Sequence, residues 1–238
     1  MKSNFIGDIN MKKTILFQGD SITDCGRTRD LPSNIIEKLY MKTQYVLRGA
    51  TELGSGYPAL VARELGDEDY TFINRGVGGD RILDVYARII RDIIKIKPDV
   101  MSLLVGVNDV WHDFDWNNGT GFKRFERMYN ILFEELTEEL PDTKFIILGA
   151  FALKGSATEN RPDQPDRYAL FRGGVAKVAA IEKAVAEKYG IRYVDLGKIL
   201  DEEAEKHTAK ALTEDGVHPT PLGHEIIKRE WLKAFNEL

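Results

Sequence analysis

The 238-residue sequence predicts an α/β fold in which one parallel sheet carries helices on both faces. Two observations predict it. Five short apolar runs recur along the chain, and four of them stop at glycine, asparagine or aspartate. Between them, apolar residues return at spacings of three and four. Unbroken apolar runs of this length suit strands buried on both faces, and the longer spacing suits amphipathic helices.

The runs are read in order. Residues 14–17 form the first and end at Gly19, Asp20 and Ser21. Residues 70–74 end at Gly76, Gly78 and Gly79; residues 100–107 end at Asn108 and Asp109. Residues 145–151 and 191–194 complete the set, the last stopped by Asp195 and Gly197. Ile82, Val85, Ile89, Ile93 and Ile96 predict a helix capped by Asp80. Phe125, Met128, Ile131, Leu132, Leu136 and Leu140 predict a second, before Pro141. Residues 168–189 read as a long helix ended by Gly190, and 226–235 as a closing one. The stretch 31–56 fits poorly; its polar, glycine-rich end, 48–56, reads as a mobile loop, and the stretch as a whole as a lid or interface insertion.

Hydrophobic residues make up 43% of the chain, enough for one sizeable core, so a single domain over 1–238 is expected. The net charge of -5 supplies no electrostatic reason to bind nucleic acid or an anionic membrane, and neither is expected as a partner. Cys25 stands alone, so no intrachain disulfide forms and a cytoplasmic home is expected. The first residues lack the apolar run of a signal peptide, and runs such as 146–150 are too short to span a bilayer.

In open parallel sheets, ligands bind beyond the carboxyl ends of the strands. Gly19-Asp20-Ser21, the glycine loop Gly76 to Gly79, and Gly106-Val107-Asn108-Asp109 all follow such ends. A serine hydroxyl needs a base to take its proton, and an imidazole needs a carboxylate to fix its tautomer. Asp215 lies three residues before His218, but Asp109 and His112 share that spacing, so spacing alone leaves both bases open. His207 and His224 read as surface or helix-end residues. The backbone N–H groups of Ser21 and Gly79 and the Asn108 amide are available oxyanion donors. No metal-binding set is expected, because thiol or dense carboxylate partners for the histidines are missing.

Taken together, Gly19-Asp20-Ser21, the glycine loop, Gly106-x-Asn108-Asp109 and Asp215-x-x-His218 match the order of the four sequence blocks of SGNH (GDSL-like) hydrolases. The chain resembles that family from about Lys13 to the last helix. Gly-Asp-Ser-Ile-Thr-Asp at 19–24 and Gly-Val-Asn-Asp-Val-Trp at 106–111 resemble the branch of bacterial acetylxylan and related carbohydrate esterases. The resemblance implies a flavodoxin-like three-layer α/β/α sandwich on a five-stranded parallel sheet. It implies Ser21 as nucleophile, Asp215 and His218 completing the triad, and Ser21, Gly79 and Asn108 as the oxyanion hole. It implies an ester substrate, an acetylated sugar above all, with no cofactor, and a homo-oligomer. Trp111, with Trp116 and Tyr57, could offer a flat face to a sugar ring. Asp20 is expected to hold the nucleophile loop beside the substrate, and Asp24 and Arg27 to pair near the site or on the surface.

Three other readings are weighed. The same machinery could serve lysophospholipids, thioesters or aryl esters. The fold could persist as a non-catalytic binding protein. A dinucleotide site would need Gly-x-Gly-x-x-Gly, but Arg81 stands at the last position. The Gly-x-Ser-x-Gly elbow of α/β-hydrolases is absent, since Thr23 follows where glycine belongs.

Overall fold

A computed structural model describes residues 12–28 and 52–238. All five apolar runs become strands: β1 (Lys13–Gly19), β2 (Tyr70–Asn74), β3 (Val100–Leu104), β4 (Lys144–Leu148) and β5 (Arg192–Val194). They pair in parallel in the order β2-β1-β3-β4-β5. This is the flavodoxin-like order, and its direction reverses between β1 and β3. Burial follows position in the sheet. Every residue of central β3 is buried, whereas β2 and β5 at the edges are partly exposed.

Helices cover the sheet in two groups. On one side α2 (Tyr57–Leu65) packs on α9 (Pro221–Phe235). There the Phe17 ring of β1 meets Tyr57 at 5.8 Å and Trp231 at 5.4 Å. On the other, α3 (Ile82–Tyr86), α4 (Val107–Trp116), α5 (Phe122–Glu139) and α6 (Arg167–Tyr189) pack on one another. The short α1 (Ser21–Asp24), with α7 (Leu196–His207) and α8 (Ala209–Leu212), completes the described helices. One hydrophobic cluster runs from Ile15 to Ala234. None of the helices among the described residues is long and apolar enough to cross a membrane.

The structure corrects several expectations. The isoleucine-rich run at 82–96 is not one helix: α3 ends at Tyr86, and Ile90–Ile94 forms a π-helical turn closed by Lys95 N–H on the Ile90 carbonyl (2.9 Å). Arg81, not Asp80, is the N-cap residue of α3, and its backbone N–H donates to Asp84 Oδ2 (3.0 Å). Asp80 is buried and pairs with Arg88. The third run stops at Leu104, and the chain turns at Gly106 into α4, a helix too polar to show in the apolar pattern. The insertion expected at 31–56 lies outside the described residues up to 51. Beyond it, Ser55 N–H reaches the Cys25 carbonyl (3.1 Å) as the chain enters α2.

Candidate active site

The turn that carries Ser21 is built by its own polar residues. Asp20 caps α1, its Oδ1 accepting from Ile22 N–H at 3.0 Å. Ser21 becomes the first residue of α1, so its own N–H lies outside the helix's bonding pattern. The glycine loop is fastened beside it. Val77 N–H bonds the Gly19 carbonyl (3.0 Å), and Asn74 Nδ2 donates to the Thr23 carbonyl (2.7 Å). Asp24 and Arg27 form a buried pair rather than a surface one. Arg27 Nε donates to the Gly76 carbonyl (2.8 Å), and Asp24 Oδ2 accepts from Gly78 N–H (3.0 Å).

Gly79 has φ +85°, a conformation that disfavours side chains, and a Cβ built there would meet nothing within 4 Å. Open space therefore lies over this residue on its side-chain face. Asn108 Nδ2 donates one hydrogen to the Asp80 carbonyl at 3.1 Å, which ties the start of α4 to the residue after Gly79. An amide nitrogen carries a second hydrogen.

A third loop brings the imidazole. Asp215 Oδ1 accepts from the N–H groups of Val217 (2.9 Å) and His218 (2.8 Å), which folds the loop into a tight turn. Its Oδ2 lies 2.8 Å from His218 Nδ1, and His218 Nε2 lies 3.0 Å from Ser21 Oγ. The segment after β4 clasps this loop: Leu153 N–H bonds the Gly216 carbonyl (2.8 Å), and Ala157 N–H the Asp215 carbonyl (2.9 Å).

The charges suit acid–base chemistry. Partial burial disfavours the Asp215 carboxylate, but the side-chain and backbone bonds of His218 and the Val217 N–H outweigh it, holding its pKa down to about 2. The bond to Asp215 raises the His218 pKa above its usual value, against partial burial. Burial pushes the carboxyls of Asp20 and Asp109 up to about 7. A serine hydroxyl on an imidazole that is itself oriented by a carboxylate can add to a carbonyl carbon.

The two candidate bases separate here. His112 stacks edge-on against Trp116 at 4.8 Å, and no bond links it to Ser21. Asp109 turns away from it, accepting from Ile82 N–H and the Thr120 hydroxyl. His224 is not a surface residue; it is buried in the first turn of α9, where Nδ1 accepts from Tyr57 N–H (3.2 Å) and Nε2 meets Cys25 Sγ (3.4 Å). Tyr57 is corrected too. Its ring has no exposed surface and its hydroxyl bonds Thr23 at 3.0 Å, so it offers nothing to a sugar. Trp111 is half-buried beside His218, and Trp116 is 62% exposed. Asp20 is almost wholly buried in the turn that carries Ser21. Sequence reasoning missed Asp115 and Arg167, which bond beneath Trp111. Asp115 follows Trp111 by four residues, a spacing that places both on one helix face.

A profile of the GDSL-like Lipase/Acylhydrolase family matches residues 17–226. The chain belongs to that family. It is a carboxylic ester hydrolase with the α/β architecture of the SGNH fold. An acetylxylan esterase from Geobacillus stearothermophilus is 30% identical over 228 residues, 95% of each chain. The crystal structure of Axe2, an acetylxylan esterase from the same organism, superimposes with a TM-score of 0.72 at 27% identity, covering 96% of both chains. A GDSL-like lipase candidate from Parabacteroides merdae gives 0.75 at 28% identity, covering 97% of this chain and 99% of that one.

Gly155 tests how closely the loop clasp sets the site. A Cβ there would stand 2.2 Å from the Asp215 carbonyl carbon and 2.3 Å from Gly216 nitrogen. Gly155→Ala must therefore displace the Asp215 loop. Ester hydrolysis should fall by about tenfold or more, since small misplacements of catalytic groups are costly. Unchanged kcat/KM in a folded variant would show that the clasp does not set the geometry.

Proposed function

We propose that this esterase removes small acyl groups, acetyl above all, from carbohydrate, with Ser21 as nucleophile, His218 as base and Asp215 as its orienter. The observation that carries the reading is the pair of bonds joining Asp215, His218 and Ser21. The carbohydrate part rests on relatives named acetylxylan esterases. In Axe2, catalytic mutants replace an aspartate and a serine by alanine, the two residue types that flank the imidazole here.

In this reading His218 Nε2 takes the Ser21 proton as Oγ adds to the ester carbonyl carbon. The negative charge formed on the carbonyl oxygen is met by the N–H groups of Ser21 and Gly79 and the Asn108 amide. The carbon–oxygen bond to the sugar then breaks, and the sugar hydroxyl leaves with the proton from His218. Water, deprotonated by His218, attacks the acyl-serine, and the acid departs as Ser21 regains its proton. No step calls for a metal or cofactor. Trp111 and exposed Trp116 on α4 supply the aromatic surface that a pyranose ring would meet. A cytoplasmic location, suggested by the lone Cys25, and assembly into a homo-oligomer belong to the same reading.

An activity panel tests it. Acetylated xylo-oligosaccharides and a peracetylated sugar should be hydrolysed with higher kcat/KM than long-chain esters, lysophospholipids or thioesters, and Ser21→Ala should be nearly inactive while still folded. Preference for long acyl chains would replace the carbohydrate reading with the lipid one. Asn108→Ala should lower kcat by about 10² to 10³, the usual loss of one oxyanion donor. A change below about threefold would remove Asn108 from the oxyanion hole.

A further inference from the structure

Arg167 is fully buried, an expensive place for a guanidinium unless its donors are matched. They are matched closely. Nη1 and Nη2 reach the two oxygens of Asp115 at 2.7 and 3.1 Å. Nε donates to the Ala157 carbonyl (2.9 Å), and Nη1 also meets Gln164 Oε1 (2.5 Å). The rings of Phe114 and Phe171 lie 5.4 and 5.7 Å from its central carbon. This investment holds one carboxylate in one place, and that carboxylate has a further task. Asp115 Oδ2 accepts the indole N–H of Trp111 at 2.6 Å. The Trp111 ring lies 5.8 Å from the His218 ring, tilted by 53°, and 6.2 Å from Phe171, which backs it edge-on.

We propose that Arg167 and Asp115 are positioning residues that clamp Trp111 against His218, and that the Trp111 ring stabilises the imidazolium formed when Ser21 gives up its proton. The proposal rests on the triad reading above and deepens it. Asp215 fixes the imidazole along its Nδ1 edge only; the indole limits its swing from the side. A ring within about 6 Å attracts a cation through its π face. Donating its N–H to an ionised carboxylate makes the indole more electron-rich and strengthens that attraction. Above the His218 pKa the imidazolium forms only as reaction proceeds, so there the effect belongs to kcat rather than to KM. Asp215 and Glu214 from its own loop, and Asp20 from the nucleophile turn, also favour the imidazolium. His224 of α9 is electrostatically coupled to it. Trp111 acts in addition to these charges.

The test uses 4-nitrophenyl acetate and the pH dependence of kcat/KM. His218 must be neutral to accept a proton, so wild-type activity falls as pH drops through its pKa. Removing support for the imidazolium lowers that pKa, and the acid limb moves to lower pH. Trp111→Leu should lower kcat about tenfold, leave KM within about twofold, and move the limb down by about half a unit to one unit. Asp115→Asn should act in the same direction by less. Trp111→Phe, which keeps a π face without needing Asp115, should restore most of the limb's position. Thermal unfolding of each variant reports folding separately. A raised KM with kcat and the acid limb unmoved would limit Trp111 to a substrate contact and overturn the proposal. So would a lowered unfolding temperature with unchanged kinetics. A wild-type profile with no acid limb would reject His218 as the base and so separate failure of the triad from failure of the clamp.

Discussion

A single hydrogen bond, from Ser21 Oγ to His218 Nε2, joins residues 197 positions apart, and the chemistry proposed above depends on it. A serine hydroxyl without that bond is an ordinary alcohol. Two independent sets of contacts keep it in place. On one side, bonds from Val77 and Asn74 lock the Ser21 turn to the glycine loop after the neighbouring strand. On the other, bonds from Leu153 and Ala157 lock the Asp215–His218 loop to the segment leaving β4. The reversal of strand order between β1 and β3 opens the crevice in which both sides meet.

Three aspartates near this bond show how placement, not residue type, sets the charge. Asp215 receives three hydrogen bonds, stays partly exposed and remains ionised down to about pH 2. Asp20 and Asp109 are buried with too few donors to balance the loss of water, and both titrate at about 7. The carboxylate proposed to counter the His218 imidazolium is thus the one of the three with the lowest pKa. Asp115, beneath Trp111, follows the same logic. Partial burial works against its charge, but bonds from Arg167 and Trp111 outweigh it.

The sheet was legible in the sequence because buried strands announce themselves as apolar runs, and all five are found. Their glycine and aspartate stops also marked the turns that carry Ser21, Gly79 and Asn108. Other elements were hidden for physical reasons. The α4 segment carries Asn108, Asp109, Asp113 and Asp115 around its apolar residues, so no clear apolar stripe marks it. The isoleucines after Asp80 keep helical spacing, yet a π-turn interrupts the helix without changing that spacing much. Tyr57 looked like a surface aromatic because residue type does not encode direction; Phe17 and Thr23 hold it in the core. Arg167 could not be found at all, since an arginine in a sequence reads as exposed. His218 was separable from His112 only through the family resemblance, since both have an aspartate three residues before. The fold brings only His218 to Ser21.

The central claim is that His218 makes Ser21 nucleophilic. Labelling with a fluorophosphonate, followed by peptide mapping, reads this most directly, because the probe modifies activated serines. The account predicts one adduct, on Ser21, formed at least about a hundredfold more slowly in a folded His218→Ala variant, the lower end of what a general base contributes. An adduct on another residue, or labelling of Ser21 at the same rate without the imidazole, would contradict it.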